Sequence, residues 1–348
     1  MSDPRVIVAG ASGFTGALAA ELVWRHPRLE LVAVTSRSDA GTRLDQLYPR
    51  HRVPLELEEL DIPRLEDGVE AAIVAYPHGA AAPVVAEMRG LGITVVDLSA
   101  DLRLRDLPTY ERWYGPHGEP DLLEGAVYGL TELHRERIRV AELVANPGCY
   151  PTAALLALAP LAEAGVIDEV AISAASGVSG AGRGSGEQHR FVSVTENFGA
   201  YSVGGHRHAP EIAQELAVLM PEETPPLPES QTRKQRAVIS FVAHLLPLDQ
   251  GLLASCFVTP TRELEAAELR SLYAERYADE PFVELWEEPP GVRDVRDTNL
   301  CRVHVALDEG SGRALCFAAI DNLWKGAAGQ AIQNLNLMLG LDETEGLR

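Results

Sequence analysis

The sequence predicts an α/β protein: a doubly wound, Rossmann-type dinucleotide-binding domain followed by an α+β domain on a mostly antiparallel sheet. Three observations predict it. Short apolar runs alternate with helical patterns as far as Asp97. The first run, Val6-Ile7-Val8-Ala9, ends in a glycine-rich turn, Gly10-Ala11-Ser12-Gly13-Phe14-Thr15-Gly16, that opens a helix. Four β-like runs, residues 238–246, 252–259, 301–307 and 314–321, fill the second half.

The size and charge agree. A chain of 348 residues suggests about two domains. With 46% hydrophobic and 23% charged residues it can bury a sizeable core. A formal net charge of −21 argues against nucleic acid and anionic membranes as partners. No apolar run approaches the roughly 18 residues of a membrane span. Met1-Ser2-Asp3-Pro4 leads straight into the first strand, with no signal peptide expected, so the setting is read as cytoplasmic. The four cysteines, Cys149, Cys256, Cys301 and Cys316, form no C-x-x-C, and no His/Cys cluster has zinc spacing. No metal is expected. The last three lie in β-like runs and read as core.

In the first turn, Gly10 suits a tight bend and Gly13 a close approach of backbone to pyrophosphate. Gly16 lets the helix pack on the strand, and the phosphates would rest on the helix N-terminus. The spacing G-x-x-G-x-x-G is a variant of the dinucleotide fingerprint. The second strand, residues 31–34, runs into Thr35-Ser36-Arg37-Ser38. No carboxylate stands between Leu31 and Ser38 to take a ribose 2′-hydroxyl. Three hydroxyls and an arginine suit a 2′-phosphate, so NADP(H) is expected.

Residues 71–75 are wholly apolar, as a parallel strand buried on both faces would be. They end in Tyr76-Pro77-His78-Gly79, with a helix expected over 80–88. Residues 93–97 form the next strand. Its end, Ser99-Ala100, and Tyr76-Pro77 should line the ligand crevice. His78 reads as a structural turn residue. Residues 104–142 read as loop-rich, and 143–145 as a short strand.

That strand delivers the sharpest motif, Ala145-Asn146-Pro147-Gly148-Cys149-Tyr150-Pro151-Thr152. Cys149 falls between a Pro-Gly turn and an apolar helix expected over 152–164. Helix N-termini favour negative charge, so a thiolate there is stabilised and the thiol pKa should fall. The alternative is a buried cysteine acting as a small hydrophobe; the turn residues favour the nucleophile. The first domain is therefore assigned to residues 1–148, completed by a C-terminal helix in 322–348, and the second to 149–321.

In the second domain, residues 170–174 run into a glycine-rich segment, 176–186, that holds Arg183 among backbone donors. This suits anion binding, with a flexible linker as the alternative. His206-Arg207-His208-Ala209-Pro210-Glu211 opens a helix and offers a general acid/base beside a cation. Residues 222–236 read as a Pro-rich exposed excursion. Residues 238–246 and 252–259 are expected to pair around Pro247-Leu248-Asp249-Gln250-Gly251. A helix is expected over 264–277 and a hairpin from 301–307 and 314–321. The last helix carries Ala328, Ile332, Leu335 and Leu339 on one face.

An NADP-type fold, an activated cysteine and a downstream histidine point to acyl-group chemistry, in which a thioester offers hydride an electrophilic carbonyl. The chain closely resembles the N-acetyl-γ-glutamyl-phosphate reductase family of arginine biosynthesis. The resemblance is carried by residues 10–16, 35–38, 77–79, 97–101, 128–133, 146–152, 179–183, 206–211, 321–323 and 325–330. It implies NADPH-dependent reduction of a small acyl phosphate and a homo-oligomer, dimer or tetramer. Carried over residue by residue, Cys149 is the nucleophile and His208 the acid/base. Gly10, Ser12, Gly13, Phe14, Thr15, Gly16, Ser36, Arg37, Ser38, Pro77, Ser176, Gly177 and Asn322 bind the cofactor. Arg103, Asn146, Arg183, Arg207 and Glu211 bind substrate. The departure is Gln250, where the family typically has arginine. Rival readings are the carrier-linked aminoadipyl-phosphate reductase of lysine biosynthesis, aspartate-semialdehyde dehydrogenase, and a redox sensor switching through Cys149.

Overall fold

The structure, a computed structural model, describes residues 3–66, 68–184, 186–187, 191–221 and 237–347. The expected excursion at 222–236 and Ser185 lie outside the described residues. The chain divides into two compact units: Met1–Gly148 with Ala181–Gly184 and Gly326–Arg348, and Cys149–Gly180 with Ser185–Lys325.

In the first unit, seven strands form a wholly parallel sheet among the described residues: β1 (Arg5–Ala9), β2 (Glu30–Thr35), β3 (Leu57–Glu58), β4 (Ala71–Val74), β5 (Thr94–Asp97), β6 (Val127–Tyr128) and β7 (Leu143–Ala145). Their order is β3-β2-β1-β4-β5-β7-β6. The chain reverses direction across the sheet between β1 and β4, where doubly wound folds open a ligand crevice. Val6, Ile7 and Val8 of β1 and Ala71 to Val74 of β4 have no exposed surface, which is why β4 is apolar throughout and β1 is apolar after Arg5. Gly10 has φ +86°, and a Cβ there would lie 2.6 Å from the Ala75 carbonyl oxygen. Only glycine fits that turn. A Cβ on Gly16 would collide with the Gly10 carbonyl, so the helix Phe14–Arg25 can approach β1 only through a glycine.

Residues 104–142 correct the loop-rich expectation. They hold the helices Leu107–Tyr114 and Thr131–Arg139 as well as β6. The first begins at Asp106, whose carboxylate accepts the Thr109 N–H at 3.1 Å, with a proline in the first turn. Asp followed by Pro is a helix-start signal that the surrounding polar residues obscured.

A π-helical turn, Trp324–Ala328, leads into the helix Gly329–Met338, which is buried on every side. Its apolar face is as expected, but Gln330, Gln333, Asn334 and Asn336 are buried too. Their amide nitrogens all donate, while Gln330 Oε1 and Asn336 Oδ1 are buried without a hydrogen-bond partner. Asn334 Nδ2 donates to the Gly129 carbonyl at 2.8 Å and to Asn146 Oδ1 at 3.0 Å. Thr131 Oγ1 donates to Asn334 Oδ1 at 2.8 Å, and Gln330 Nε2 donates to Thr131 at 2.6 Å.

The second unit is a mixed, mostly antiparallel sheet of β8 (Ile167–Gly177), β9 (Gly199–Tyr201), β10 (Val238–Leu246), β11 (Leu252–Pro260), β12 (Val283–Leu285), β13 (Cys301–Asp308) and β14 (Arg313–Ile320). The order is β12-β13-β14-β11-β8-β10-β9. The hairpin β13–β14 forms as expected. The expected β10–β11 pair does not. β8 lies between them, parallel to β10 and antiparallel to β11. The loop over 247–251 crosses the end of β8 and is held there. Gly177 N–H donates to the Gly251 carbonyl at 2.8 Å, and Val178 N–H to Leu248 at 2.9 Å. Short sequence separation favoured a hairpin, but the eleven-residue β8 has two ladders to fill.

The helix Cys149–Glu163 is the unit's centre, with Tyr150 through Ala162 all buried. Pro160 lies inside it and cannot donate to the Leu156 carbonyl one turn back. Tyr277 Oη donates to that carbonyl instead, and Tyr273 Oη to the Ala157 carbonyl at 2.6 Å. Both tyrosines come from the helix Ala266–Tyr277.

Candidate active site

The first unit gathers the expected dinucleotide residues on one edge. β1, β2 and β4 are neighbours and parallel, so Gly10 to Gly16, Ser36 to Ser38 and Pro77 all follow their C-terminal ends. Gly13 caps the helix Phe14–Arg25, and a Cβ there would meet nothing nearer than 3.9 Å. Free helix N–H groups and open space stand together at that point, as a pyrophosphate requires. Ser12 and Ser36 hydroxyls are 2.8 Å apart, and Ser36 and Ser38 3.4 Å. Thr35 Oγ1 is buried without a hydrogen-bond partner. Arg37 and Tyr76 are on the wall of a cavity of about 870 Å³ whose other polar lining is Arg64 with the carboxylates Glu58, Glu59, Asp61 and Glu87. The glycine turn at the helix start and the serine hydroxyls after β1 and β2 fit a bound nicotinamide dinucleotide.

Two residues of this edge escaped the sequence reading. Asp39, one position past Ser38, accepts from Ser38 Oγ at 2.6 Å. Tyr48 Oη donates to the Ser12 carbonyl at 2.7 Å. Arg183, expected beside the substrate, has its guanidinium here. It donates to the Ser12 carbonyl and to both Asp39 oxygens, each at 3.1 Å. The Ser38 hydroxyl, and Arg183 after it, hold the Asp39 carboxyl below its ordinary range.

Arg103 and Asn146, also expected at the substrate, brace the chain that leads to Cys149. Arg103 is buried. Its Nε donates to the Asn146 carbonyl at 2.7 Å and one terminal nitrogen to the Leu98 carbonyl at 2.8 Å. Asn146 Nδ2 donates to the Ala327 carbonyl at 3.2 Å, while its Oδ1 accepts from Asn334. Asp101 accepts the N–H groups of Gly79, Ala81 and Ala82, which fixes the turn after β4. His78 is structural, as expected: its Nδ1 accepts the Ala100 N–H at 2.9 Å. Burial pushes the Asp97 carboxyl up to about 6.

In the second unit, Cys149 is the first residue of its helix and partly exposed, whereas Cys256, Cys301 and Cys316 are buried. Beside it stands a cluster of rings. Tyr150 packs against His206 and His208 with centroids 5.4 and 5.8 Å apart, and His206 against His208 at 5.0 Å. Tyr201 Oη donates to Tyr150 Oη at 3.1 Å, and Tyr150 Oη to the His244 carbonyl at 3.0 Å. Burial pushes the Tyr201 phenol up to about 12, the Tyr150 bond pulling it back and the charge of Cys149 adding to the rise. Burial, with Arg207 assisting, pushes His206 down to about 4. Arg207 is exposed and Glu211 buried in the first turn of the helix Ala209–Leu219. The two tyrosines were not foreseen; their signal, two phenols flanking a Cys and a His-Arg-His motif, is too common to be read alone.

Asn322 is held at both ends. Its Oδ1 accepts the Gly251 N–H at 2.8 Å and its Nδ2 donates to Ser179 Oγ at 3.0 Å. Ser176 is buried at the end of β8, and a Cβ on Gly177 would lie 2.5 Å from the Asp249 carbonyl oxygen. Gln250 Nε2 donates to Asp321 at 3.4 Å. Among the described residues, no group of three His, Cys, Asp or Glu could hold a metal ion, and no helix is long and apolar enough to cross a membrane.

Residues 5–141 match the family model for the semialdehyde dehydrogenase NAD binding domain, and residues 149–322 that for its dimerisation domain. An N-acetyl-gamma-glutamyl-phosphate reductase from Desulforudis audaxviator is 46% identical over 99% of this chain and 97% of that protein. The chain belongs to the N-acetyl-γ-glutamyl-phosphate reductase family. A second relative of that name, from Moorella thermoacetica, is 46% identical over 98% of this chain and 96% of its own length. Membership makes the chain an oxidoreductase that uses a nicotinamide cofactor. Solved structures share its fold. Aspartate semialdehyde dehydrogenase II from Vibrio cholerae aligns with TM-score 0.73 at 17% identity, covering 97% of this chain and 99% of that one. The Candida albicans aspartate semialdehyde dehydrogenase with NADP aligns at 0.66 and 15%, over 97% and 99%.

Proposed function

We propose that this chain reduces N-acetyl-L-glutamyl 5-phosphate to N-acetyl-L-glutamate 5-semialdehyde and phosphate, with NADPH as reductant, as a step of arginine biosynthesis. The observation that carries the reading is near full-length kinship, at 42–46% identity, to reductases so named. The ring cluster beside a helix-terminal cysteine supports it chemically.

Cys149 attacks the acyl carbonyl as thiolate; its C–S bond forms and phosphate leaves with the C–O bond pair. When bound, the dinucleotide supplies the hydride that takes the thioester to the aldehyde level. His208 protonates the oxygen that becomes the hemithioacetal hydroxyl. It takes that proton back as the C–S bond breaks and the aldehyde departs. Arg207, which is exposed, and Glu211, on the same helix start, are the proposed substrate residues. Arg183, Arg103 and Asn146 are assigned supporting roles, the first at the dinucleotide edge and the other two in the brace before Cys149. Asn322 and Ser176 to Gly177 are proposed at the nicotinamide end.

The preference for NADP(H) rests on Ser12, Ser36 and Ser38, three hydroxyls in contact, with Arg37 next to them. A 2′-phosphate among them would take charge-assisted bonds and draw Arg183 from Asp39. Equal kcat/KM for NADPH and NADH would overturn this choice. The chain is proposed to work as a homodimer or homotetramer through its second unit. A reducing, cytoplasmic setting suits four cysteines that are all free thiols. The decisive assay is phosphate-dependent NADP⁺ reduction with N-acetylglutamate semialdehyde, against aspartate and aminoadipate semialdehydes. Preference for either of the latter would overturn the substrate assignment.

A further inference from the structure

We propose that His206 is a positioning residue for His208: held in one neutral tautomer by Tyr201 and the His208 backbone amide, it fixes the turn presenting His208 and leaves proton transfer to that residue alone. The proposal rests on the acid–base reading of His208 given above.

The hydrogen bonds run one way. The His208 N–H donates to Nδ1 of His206 at 3.2 Å. A backbone amide can only donate, so Nδ1 is an unprotonated acceptor, and the neutral ring carries its proton on Nε2. Nε2 stands 3.3 Å from Tyr201 Oη and donates to it. Tyr201 then donates to Tyr150, and Tyr150 to the His244 carbonyl. The chain ends on a carbonyl, which has no proton to return. Each bond therefore fixes the direction of the next, back to the His206 tautomer.

The surroundings hold the ring neutral. Tyr201 and Phe241 pack on it with centroids 5.3 and 5.1 Å away, in addition to Tyr150 and His208. The ionisable groups facing it are the phenols of Tyr150 and Tyr201, the imidazole of His208, and the adjacent Arg207 guanidinium. Cys149 stands within electrostatic reach of both phenols. A second proton would enter at Nδ1, break the bond to the His208 amide, and set a cation beside Arg207. Burial and that arginine both oppose it.

The bond matters because of where it falls. His208 is the residue that caps the helix Ala209–Leu219, and its carbonyl accepts the Ile212 N–H at 3.0 Å. The amide nitrogen at that position has no acceptor inside its own helix. His206 supplies one and so ties the backbone of His208 to the Tyr201–Tyr150 pair. Among the two histidines of the motif, one is thus built to stay still and neutral.

Three variants and one spectrum test this. His206→Ala should lower kcat ~10- to 100-fold, the scale of a small misplacement, with KM changed far less. His206→Asn keeps an acceptor near the Nδ1 position and should recover most of that loss. His208→Asn alone should remove an ionisation from the kcat/KM–pH profile, and His206→Asn should keep it where the wild type has it. Nitrogen-15 NMR of the wild-type protein should show His206 as the neutral Nε2–H tautomer between about pH 5 and 8. An Nδ1–H tautomer, a wild-type rate for His206→Ala, or an ionisation lost with His206→Asn would overturn the proposal. The spectrum reads the geometry even if no acyl-phosphate substrate is turned over, so the functional reading can fail separately.

Discussion

At the scale of single residues, the proposed mechanism divides its chemistry between Cys149 and His208. Cys149→Ser is expected to lose nearly all reductase activity while binding NADPH as tightly as the wild type, since the hydroxyl is far harder to ionise than the thiol. An active Ser variant would remove the covalent step. His208→Asn is expected to cost about 10²–10⁴-fold in kcat, the usual yield of a general acid/base. Asp97 offers a test of a different kind. Its carboxyl rises from 3.8 to about 6 because burial disfavours the anion, against the two bonds it accepts from Ser99. The fold therefore favours the neutral form. Its contribution to stability is complete below about pH 4 and is lost as pH rises through about 6. Measured against Asp97→Asn by denaturant unfolding, the wild type should lose on the order of 3 kcal/mol across that interval and nothing more above it. A difference that stays flat with pH would mean Asp97 ionises as an ordinary carboxylate. The placing of Cys149 and His208 at helix starts and of the serines after β1 and β2 was legible in the sequence because glycine, proline and polar residues bracket them. Asp39, Tyr150 and Tyr201 were not, because their partners are far away in sequence: Tyr201 Oη meets Tyr150 Oη across fifty-one positions.

Among elements, the helix Cys149–Glu163 shows how a defect is repaired by its neighbours. Pro160 removes the donor for the Leu156 carbonyl, and Tyr277 supplies another from a different helix. Tyr277→Phe should therefore leave a buried carbonyl unsatisfied and cost about 1–3 kcal/mol. Pro160→Ala restores an N–H to the same carbonyl, so Tyr277→Phe should cost clearly less in that background. A double-mutant cycle in thermal unfolding reads the coupling; strictly additive costs would show that the two residues do not share the carbonyl. Such repairs explain which elements sequence reading found. The parallel strands of the first unit were legible because burial on both faces demands unbroken apolar runs, as in Ala71–Val74. The helix Leu107–Tyr114 was hidden because most of it is exposed and only Tyr110 is buried. The β10–β11 pairing was misread because nothing local in either strand records that β8 comes between them. Strand order is decided by the whole sheet, and local turn chemistry registers only part of it.

For the whole molecule, the remaining step is self-association. The sheet of the second unit has two unlike faces. One carries Leu252, Ala254, Cys256 and Val258 of β11 with Ala314 and Cys316 of β14, all buried, and Tyr273 of the helix Ala266–Tyr277 touches Cys316 at 3.1 Å. The other carries Leu253 and Phe257 of β11 with Leu315 and Phe317 of β14, which keep part of their surface exposed. Phe257 stands opposite Leu315 in the ladder, so these side chains are neighbours across the strands. The prediction at this scale is that a second copy covers this partly exposed apolar sheet face, in a unit that matches a dimerisation domain. Each copy carries a formal charge of −21, so long-range repulsion opposes what apolar contact favours. Salt screens the first over about 8 Å at physiological strength and leaves the second in place. Association measured by sedimentation equilibrium should therefore tighten as NaCl is raised. Phe257→Glu with Phe317→Glu should yield monomers whose circular dichroism matches the wild type, because neither side chain is on the face the helices pack against. Oligomers that persist in the double variant, or that loosen with salt, would place the interface on a charged surface elsewhere.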